Sequence, residues 1–205
     1  MKADPIHPQH RIWLAAPFAA MALGMLLLKS GWAALLLYHA VIIAALVVNR
    51  ERASLSSLLK GFSMGPLLLM LVIAAGLYFG LTAYSASKDF VGEKVSVLAG
   101  SCGPLFVVYL LLVNPPLEEL FWRDLFAAKS KLPSFGDLLF GCFHFPILLL
   151  FLSPMKLPIG IAMIAIGGWG WRQMRNRYGG LLLPWAGHFL ADLTLVAVVL
   201  RLLSL

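Results

Sequence analysis

The sequence predicts an all-α, polytopic membrane protein, a bundle of about seven mostly transmembrane helices around an intramembrane cavity. Composition is the first observation: of 205 residues, 61% are hydrophobic and 12% charged, and the mean hydropathy of +0.90 lies well beyond that of a soluble domain. The second is that apolar segments recur along the whole chain, separated by short polar or basic linkers. No separate soluble domain fits, and no internal repeat or low-complexity tract is visible. The chain therefore reads as a single membrane domain over 1–205, with N-terminal helices across 12–104 and a second half, 105–205, that holds the charged motifs.

A helix needs roughly 20 residues to cross the hydrocarbon, with about 17 as a lower limit. The first apolar segment, 12–28, follows "MKADPIHPQHR" and superficially suits a signal peptide, with small residues in "AAPFAAMA" for cleavage. Lys29 directly after it reads as a helix end, which favours a retained signal-anchor. Segments 32–48 and 64–84 follow, then 105–128; 138–152 and 157–171 are short for a crossing, and 181–203 closes the chain.

The net charge of +7 does not indicate nucleic acid, because the basic residues are spread between the apolar segments and form no stripe. Topology accounts for them. If all seven segments cross, one side receives Lys2, Arg11, Arg50, Arg52, Lys60, Lys129, Lys131, Arg172, Arg175 and Arg177. The other receives Lys29, Lys88, Lys94, Lys156 and Arg201, so the positive-inside bias places the N-terminus in the cytoplasm. Cys102 and Cys142 form neither a disulfide framework nor a zinc pattern and read as structural or incidental.

Three polar pairs interrupt the oily second half. In "NPPLEELFWRDL", Asn114 is placed to cap a helix whose first turn holds Pro115 and Pro116, so the chain kinks or restarts there. Glu118 and Glu119 then lie near the positive end of a half-helix. Arg123, four residues after Glu119, shares its face and neutralises it, leaving Glu118 free. A solvated helix end is the plain alternative, but Leu120, Phe121, Trp122, Leu125 and Phe126 continue the apolar pattern.

The second pair is Phe140 and His144 in "LLFGCFHFPILLLF", and the third is His188 and Asp192 in "LLLPWAGHFLADLTLVAVVL", each at a four-residue spacing. Taken singly, His144 reads as a packing residue and His188 with Asp192 as a self-contained pair. His39, in "LLYHAVII", has no polar partner at helical spacing and reads as a packing residue. At about 1.5 Å rise per residue, Glu118 lies about 13 Å from the end of its helix near Ala127, and His144 and His188 about 10 Å inside theirs. All three depths are counted from the same side, so the groups meet at one level. Converging intramembrane ionisable residues indicate a functional site.

Read in order, Glu-Glu-x-x-x-Arg at Glu118, Glu119 and Arg123, Phe-x-x-x-His at Phe140 and His144, and His-x-x-x-Asp at His188 and Asp192 resemble the motifs of the CPBP family. These are the CAAX protease and bacteriocin-processing (ABI) enzymes, glutamate-dependent intramembrane proteases that include the type II CAAX prenyl endopeptidases. The resemblance starts near Asn114, and the first three helices match only in being hydrophobic. It implies that Glu118 and His144 activate a water, that His188 and Asp192 stabilise the oxyanion, and that no metal or cofactor is needed. A carboxylate in a low-dielectric site can act as a base near neutral pH, and amide hydrolysis needs donors aimed at the oxyanion. Asp192 departs from the commoner asparagine, and an ionised aspartate donates no hydrogen bond. Either Asp192 is protonated, or it orients His188 while His188 donates.

The implied partners are the lipid bilayer and a membrane-associated protein or peptide substrate. Other readings remain open: a zinc-dependent protease, since Glu, His, His and Asp form a possible ligand set; a non-enzymatic immunity or scaffold protein; and a transporter, which suits broken helices but for which no inverted repeat is visible.

Overall fold

The computed structural model describes residues 8–50, 53–83, 88–126 and 128–203. Lys2, Arg52, Tyr84 and Ala127, which figure in the sequence expectations, lie outside the described residues. The described chain is helical and contains no strand.

The first helix, α1 (Pro8–Ala22), runs through a π-helical turn, Leu23–Leu27, to Ser30, whose side chain caps α2 (Gly31–Val48) by accepting from Ala33 N–H at 3.2 Å. One stripe of α2, Ala34, Tyr38, Ile42 and Ala45, is sealed inside the bundle, while Leu36, Ile43 and Val47 face outward. Next come α3 (Met64–Ala83) and α4 (Lys88–Ala99). Helix α3 is peripheral, with Met70 its buried residue. Its outward Leu68, Leu69, Val72 and Ile73 suit contact with lipid.

The segment that carries the glutamates breaks where the prolines predict. Helix α5 (Gly103–Leu112) ends at Val113, α6 (Asn114–Glu118) restarts with Pro115 and Pro116 in its first turn, and Glu119–Leu125 continues as π-helix. Asn114, however, does not cap: its side chain makes no cap bond. Pro116 has no N–H to offer a cap, and a buried partner elsewhere in the bundle takes the Asn114 side chain instead.

The predicted segment 138–152 is two short helices. Helix α7 (Phe135–Phe143) opens with a capping box between Ser134 and Asp137 and stops at His144, and α8 (Phe145–Phe151) carries Pro146 in its first turn. Proline removes a backbone donor and disfavours helical geometry in the residue before it, so the break falls beside the histidine. The next segment is longer than expected: α9 (Leu157–Tyr178) extends through Arg172, Arg175 and Arg177 to Gly179, whose φ of 73° closes it in the left-handed region. Last is α10 (Leu182–Leu203).

Among the described residues, four stretches are long and apolar enough to cross a membrane: Gly31–Val48, Met64–Ala83, Gly103–Leu125 and Leu182–Leu203, with Ile12–Leu27 a shorter apolar helix. One end of the bundle is tied together by residues from the basic loops. Ser57 and Lys60 carbonyls accept from Leu181 and Leu182 N–H at 2.7 and 2.9 Å, satisfying donors at the start of α10. Asp124 accepts from Ser54 N–H and Ser57 Oγ and pairs with Arg175 at 2.8 Å. Arg172 is buried: it grips Asp137 and donates to the carbonyls of Ala128, Ser130 and Leu132. This anchor pins α7 to α9 and sets the depth at which His144 stands.

Candidate active site

Glu118 and Glu119 sit where α6 passes into the π-helix, and both side chains are withdrawn from solvent, with 1% and 0% of their surface exposed. A π-helical turn is wider than an α-turn and is frequent at functional sites. Both carboxylates reach one imidazole. His188 Nδ1 lies 2.9 Å from Glu119 Oε1, and Nε2 of the same ring lies 3.6 Å from Glu118 Oε2 and 3.9 Å from Asp192 Oδ2. His188 and Asp192 thus share one face of α10, one turn apart.

The expected Arg123 contact is present: its Nε is 3.7 Å from Glu119 Oε2. The guanidinium also stacks over the Phe140 ring at 4.1 Å from the centroid. Glu119 therefore does more than pair with arginine, since its other oxygen holds His188. The sequence offers Asp192 as the group that orients His188; in the structure Glu119 occupies Nδ1 and Asp192 stands on the Nε2 side.

His144 Nδ1 lies 2.7 Å from the Phe140 carbonyl. The carbonyl only accepts, so Nδ1 carries the proton and Nε2 keeps its lone pair in the neutral ring. Phe140 stands between the two imidazoles, edge-on to His144 at 4.9 Å and to His188 at 6.0 Å. The motif phenylalanine is therefore the wedge that spaces the histidines and the platform on which Arg123 rests.

Other residues of the site carry no signal at fixed spacing. Trp171 stacks on His188 with centroids 4.6 Å apart and planes 14° from parallel. Tyr38 Oη accepts from Trp122 Nε1–H at 2.9 Å, and the ring stacks on Phe143 at 4.4 Å. His39, read from sequence as a packing residue, uses both ring nitrogens, meeting Tyr109 Oη at 2.9 Å and Asn114 Oδ1 at 3.0 Å. Two glycines make room: a Cβ on Gly168 would fall 2.7 Å from Arg123 Nη2, and one on Gly187 would fall 2.6 Å from Trp171 Nε1.

Three carboxylates face two cationic groups, Arg123 and His188, so even with the imidazole protonated the cluster holds one more acid than base. Such a group is stable only if a proton is shared or a donor is supplied. Glu118 Oε2, Glu119 Oε2, Asp192 Oδ2 and Arg123 Nε and Nη2 have no hydrogen-bond partner in the protein. Buried polar atoms are nearly always satisfied, and a concentration of exceptions at one point marks chemistry. Among the described residues no group of three His, Cys, Asp or Glu side chains is arranged to hold a metal ion. The cluster is closely packed; a cavity of about 410 Å³ lies elsewhere, lined by Tyr78, Thr82 and Arg201. Asp192 and His144 are its less buried members.

Residues 101–194 match the family model described as "Type II CAAX prenyl endopeptidase Rce1-like". This stretch, within the second half of the chain, matches the CAAX protease family. The match begins just before α5 and ends just after Asp192, so it contains all three motifs. No curated protein and no solved structure matches the chain. A CAAX protease is an intramembrane peptidase, and the membrane helices around the cluster are the setting such an enzyme requires.

Proposed function

We propose that this CAAX-family protein is a glutamate-type endopeptidase that hydrolyses a peptide bond in a membrane-associated protein or peptide, without a metal or cofactor. The observation that carries the reading is that Glu118, Glu119 and Asp192, from two helices, surround a single buried imidazole, His188. Glu118 takes a proton from water, and the water oxygen attacks the scissile carbonyl carbon. His144 Nε2, with its lone pair free, accepts from the same water and orients it. Positioned general bases contribute about 10² to 10⁴ in rate.

As the carbonyl oxygen becomes negative, His188 donates Nε2–H to it. Glu119 fixes the ring through Nδ1, so the donor direction is set before substrate arrives, and a preorganised oxyanion donor is worth about 3 kcal/mol. Arg123, held on Phe140, balances Glu119. Asp192 beside Nε2 favours the cationic imidazole and needs no proton of its own. Collapse of the tetrahedral intermediate returns the Glu118 proton to the leaving amine.

Substrate reaches the cluster from the side of His144 and Asp192, its less buried members. The basic loops favour a cytoplasmic location for the end of the bundle that carries Arg172 and Arg175, with the N-terminus also cytoplasmic. The test is comparative mapping of protein termini in membranes with and without the chain. The reading predicts new termini, close to a membrane anchor, that depend on the chain; identical termini in both membranes would contradict it.

A further inference from the structure

Asp124 is the fourth charge in "NPPLEELFWRDL", and the proposed chemistry does not use it. It stands in the last turn of the π-helix that carries Glu119 and Arg123, where Phe126 N–H reaches back five residues to the Phe121 carbonyl at 3.2 Å. Its side chain is 7% exposed, and both oxygens are held. Oδ2 accepts from Ser54 N–H at 2.9 Å, with the Ser57 hydroxyl 3.2 Å away, and Oδ1 accepts from Arg175 Nη2 at 2.8 Å. The segment that meets Asp124 also seats α10. The Ser57 and Lys60 carbonyls accept from Leu181 and Leu182 N–H at 2.7 and 2.9 Å, and two glycines let the backbones touch. A Cβ on Gly61 would fall 2.9 Å from Gly180 N, and one on Gly180 would collide with the Lys60 carbonyl. Residues 54–60 therefore join the end of the glutamate segment to the start of the helix that carries His188, which lies about 10 Å further along α10 from Leu181.

We infer that Asp124 is a positioning residue: by tying the last π-helical turn to residues 54–60, it holds Glu118 and Glu119 in register with His188. This rests on the peptidase reading. A π-helix bonds each residue to the fifth before it, an α-helix to the fourth, so reversion to α-helix would turn every side chain in the segment about the axis. Glu119 and Arg123 lie inside that segment, and the separations of 2.9 and 3.6 Å between the glutamates and His188 belong to one register. A carboxylate fastened to a backbone N–H of the loop and to a guanidinium on α9 keeps the segment in it. Misplacing a reacting group by about 1 Å can cost about 10²-fold in rate. Asp124 is held by the loop and α9 rather than by the cluster, so its effect passes through the glutamates and belongs in the chemical step rather than in substrate binding.

A merely structural tie makes a different prediction, since its loss lowers the unfolding midpoint and leaves turnover per folded molecule unchanged. The experiment measures cleavage of a prenylated Cys-a-a-X reporter peptide by the full-length protein in detergent micelles, for wild type, Glu118→Gln, Asp124→Asn, Gly180→Ala and the double variant Asp124→Asn with Gly180→Ala. Asparagine keeps the shape of the side chain but has one acceptor oxygen, so its NH₂ faces either Ser54 N–H or Arg175, donor against donor. Gly180→Ala pushes the same segment off the start of α10. The inference predicts that Asp124→Asn inserts and folds but loses about tenfold or more in kcat at unchanged KM. The double variant loses no more than the worse of its two parents, because both act through residues 54–60. Wild-type kcat in folded Asp124→Asn, a raised KM at wild-type kcat, or losses that multiply in the double variant overturn the inference while leaving the peptidase reading intact. No cleavage by wild type, or equal cleavage by Glu118→Gln, overturns the peptidase reading and this inference with it. If Asp124→Asn does not accumulate, Gly180→Ala decides: reduced kcat at unchanged KM supports the inference and unchanged kcat overturns it.

Discussion

One imidazole bridges two adjacent glutamates: His188 Nδ1 is 2.9 Å from Glu119 Oε1, and its Nε2 is 3.6 Å from Glu118 Oε2. Neighbouring residues on an α-helix point about 100° apart. They converge on one ring at the passage from α6 to π-helix at Glu119.

Arg123 is the first point of vulnerability. It is 1% exposed, and its partners Glu119 and Phe140 are buried. Arg123→Ala leaves a carboxylate buried and unbalanced, a cost of about 3 to 5 kcal/mol. The expected result is reduced accumulation and a lower unfolding midpoint together with loss of activity. A fully stable but inactive protein would place Arg123 in the chemistry instead.

Gly168 and Gly167 offer a paired test on one helix. A Cβ at Gly168 meets Arg123 Nη2 at 2.7 Å and Phe140 Cδ1 at 2.8 Å, whereas one at Gly167 meets nothing within 4 Å. Gly168→Ala is expected to destabilise by about 1 to 3 kcal/mol and to reduce activity by displacing the wedge between the histidines. Gly167→Ala is expected to be neutral or stabilising by up to about 1 kcal/mol. Thermal unfolding of the two variants in detergent decides, and equal behaviour would contradict the packing described.

Much of this site was legible because charge in an oily helix is costly and therefore conspicuous. Glu119 with Arg123, Phe140 with His144, and His188 with Asp192 stand out at four-residue spacings, and a count of helical rise brings Glu118, His144 and His188 to one depth. Asn114 was legible as a helix restart but not as a partner of His39, because 75 residues separate them and no periodicity links α2 to α6. Trp171 is one aromatic residue among many, and only the packing shows that it touches His188. Arg172 and Arg175 count as topology charges in the sequence, yet they are loop anchors, since a guanidinium near a helix end can satisfy several carbonyls at once.

Asp137, at the cap of α7 outside the membrane segments, gives the protein an acid limit. Burial pushes its carboxyl up, but the Arg172 guanidinium and Ser134 outweigh that and hold it below the usual range. A depressed folded-state value contributes stability that is complete above the unfolded value and is lost as pH falls through the folded one. Thermal stability should therefore decline below about pH 4. Asp137→Asn should lower stability at neutral pH and flatten that decline. An unchanged acid profile in Asp137→Asn would contradict the assignment.

A metal-free mechanism predicts that reporter cleavage survives prolonged treatment with a strong chelator. Activity lost in chelator and restored by zinc would instead favour a metalloprotease built on the same side chains.

The central claim is that Glu118 is the base, and Glu118→Gln tests it most directly. Glutamine keeps the shape of the side chain and removes its ability to take a proton from water. Cleavage of the prenylated Cys-a-a-X reporter by the purified variant, compared with wild type at equal folded concentration, should fall by at least about 10²-fold while membrane insertion and unfolding midpoint stay close to wild type. Near-wild-type turnover by a folded Glu118→Gln protein would contradict the glutamate mechanism.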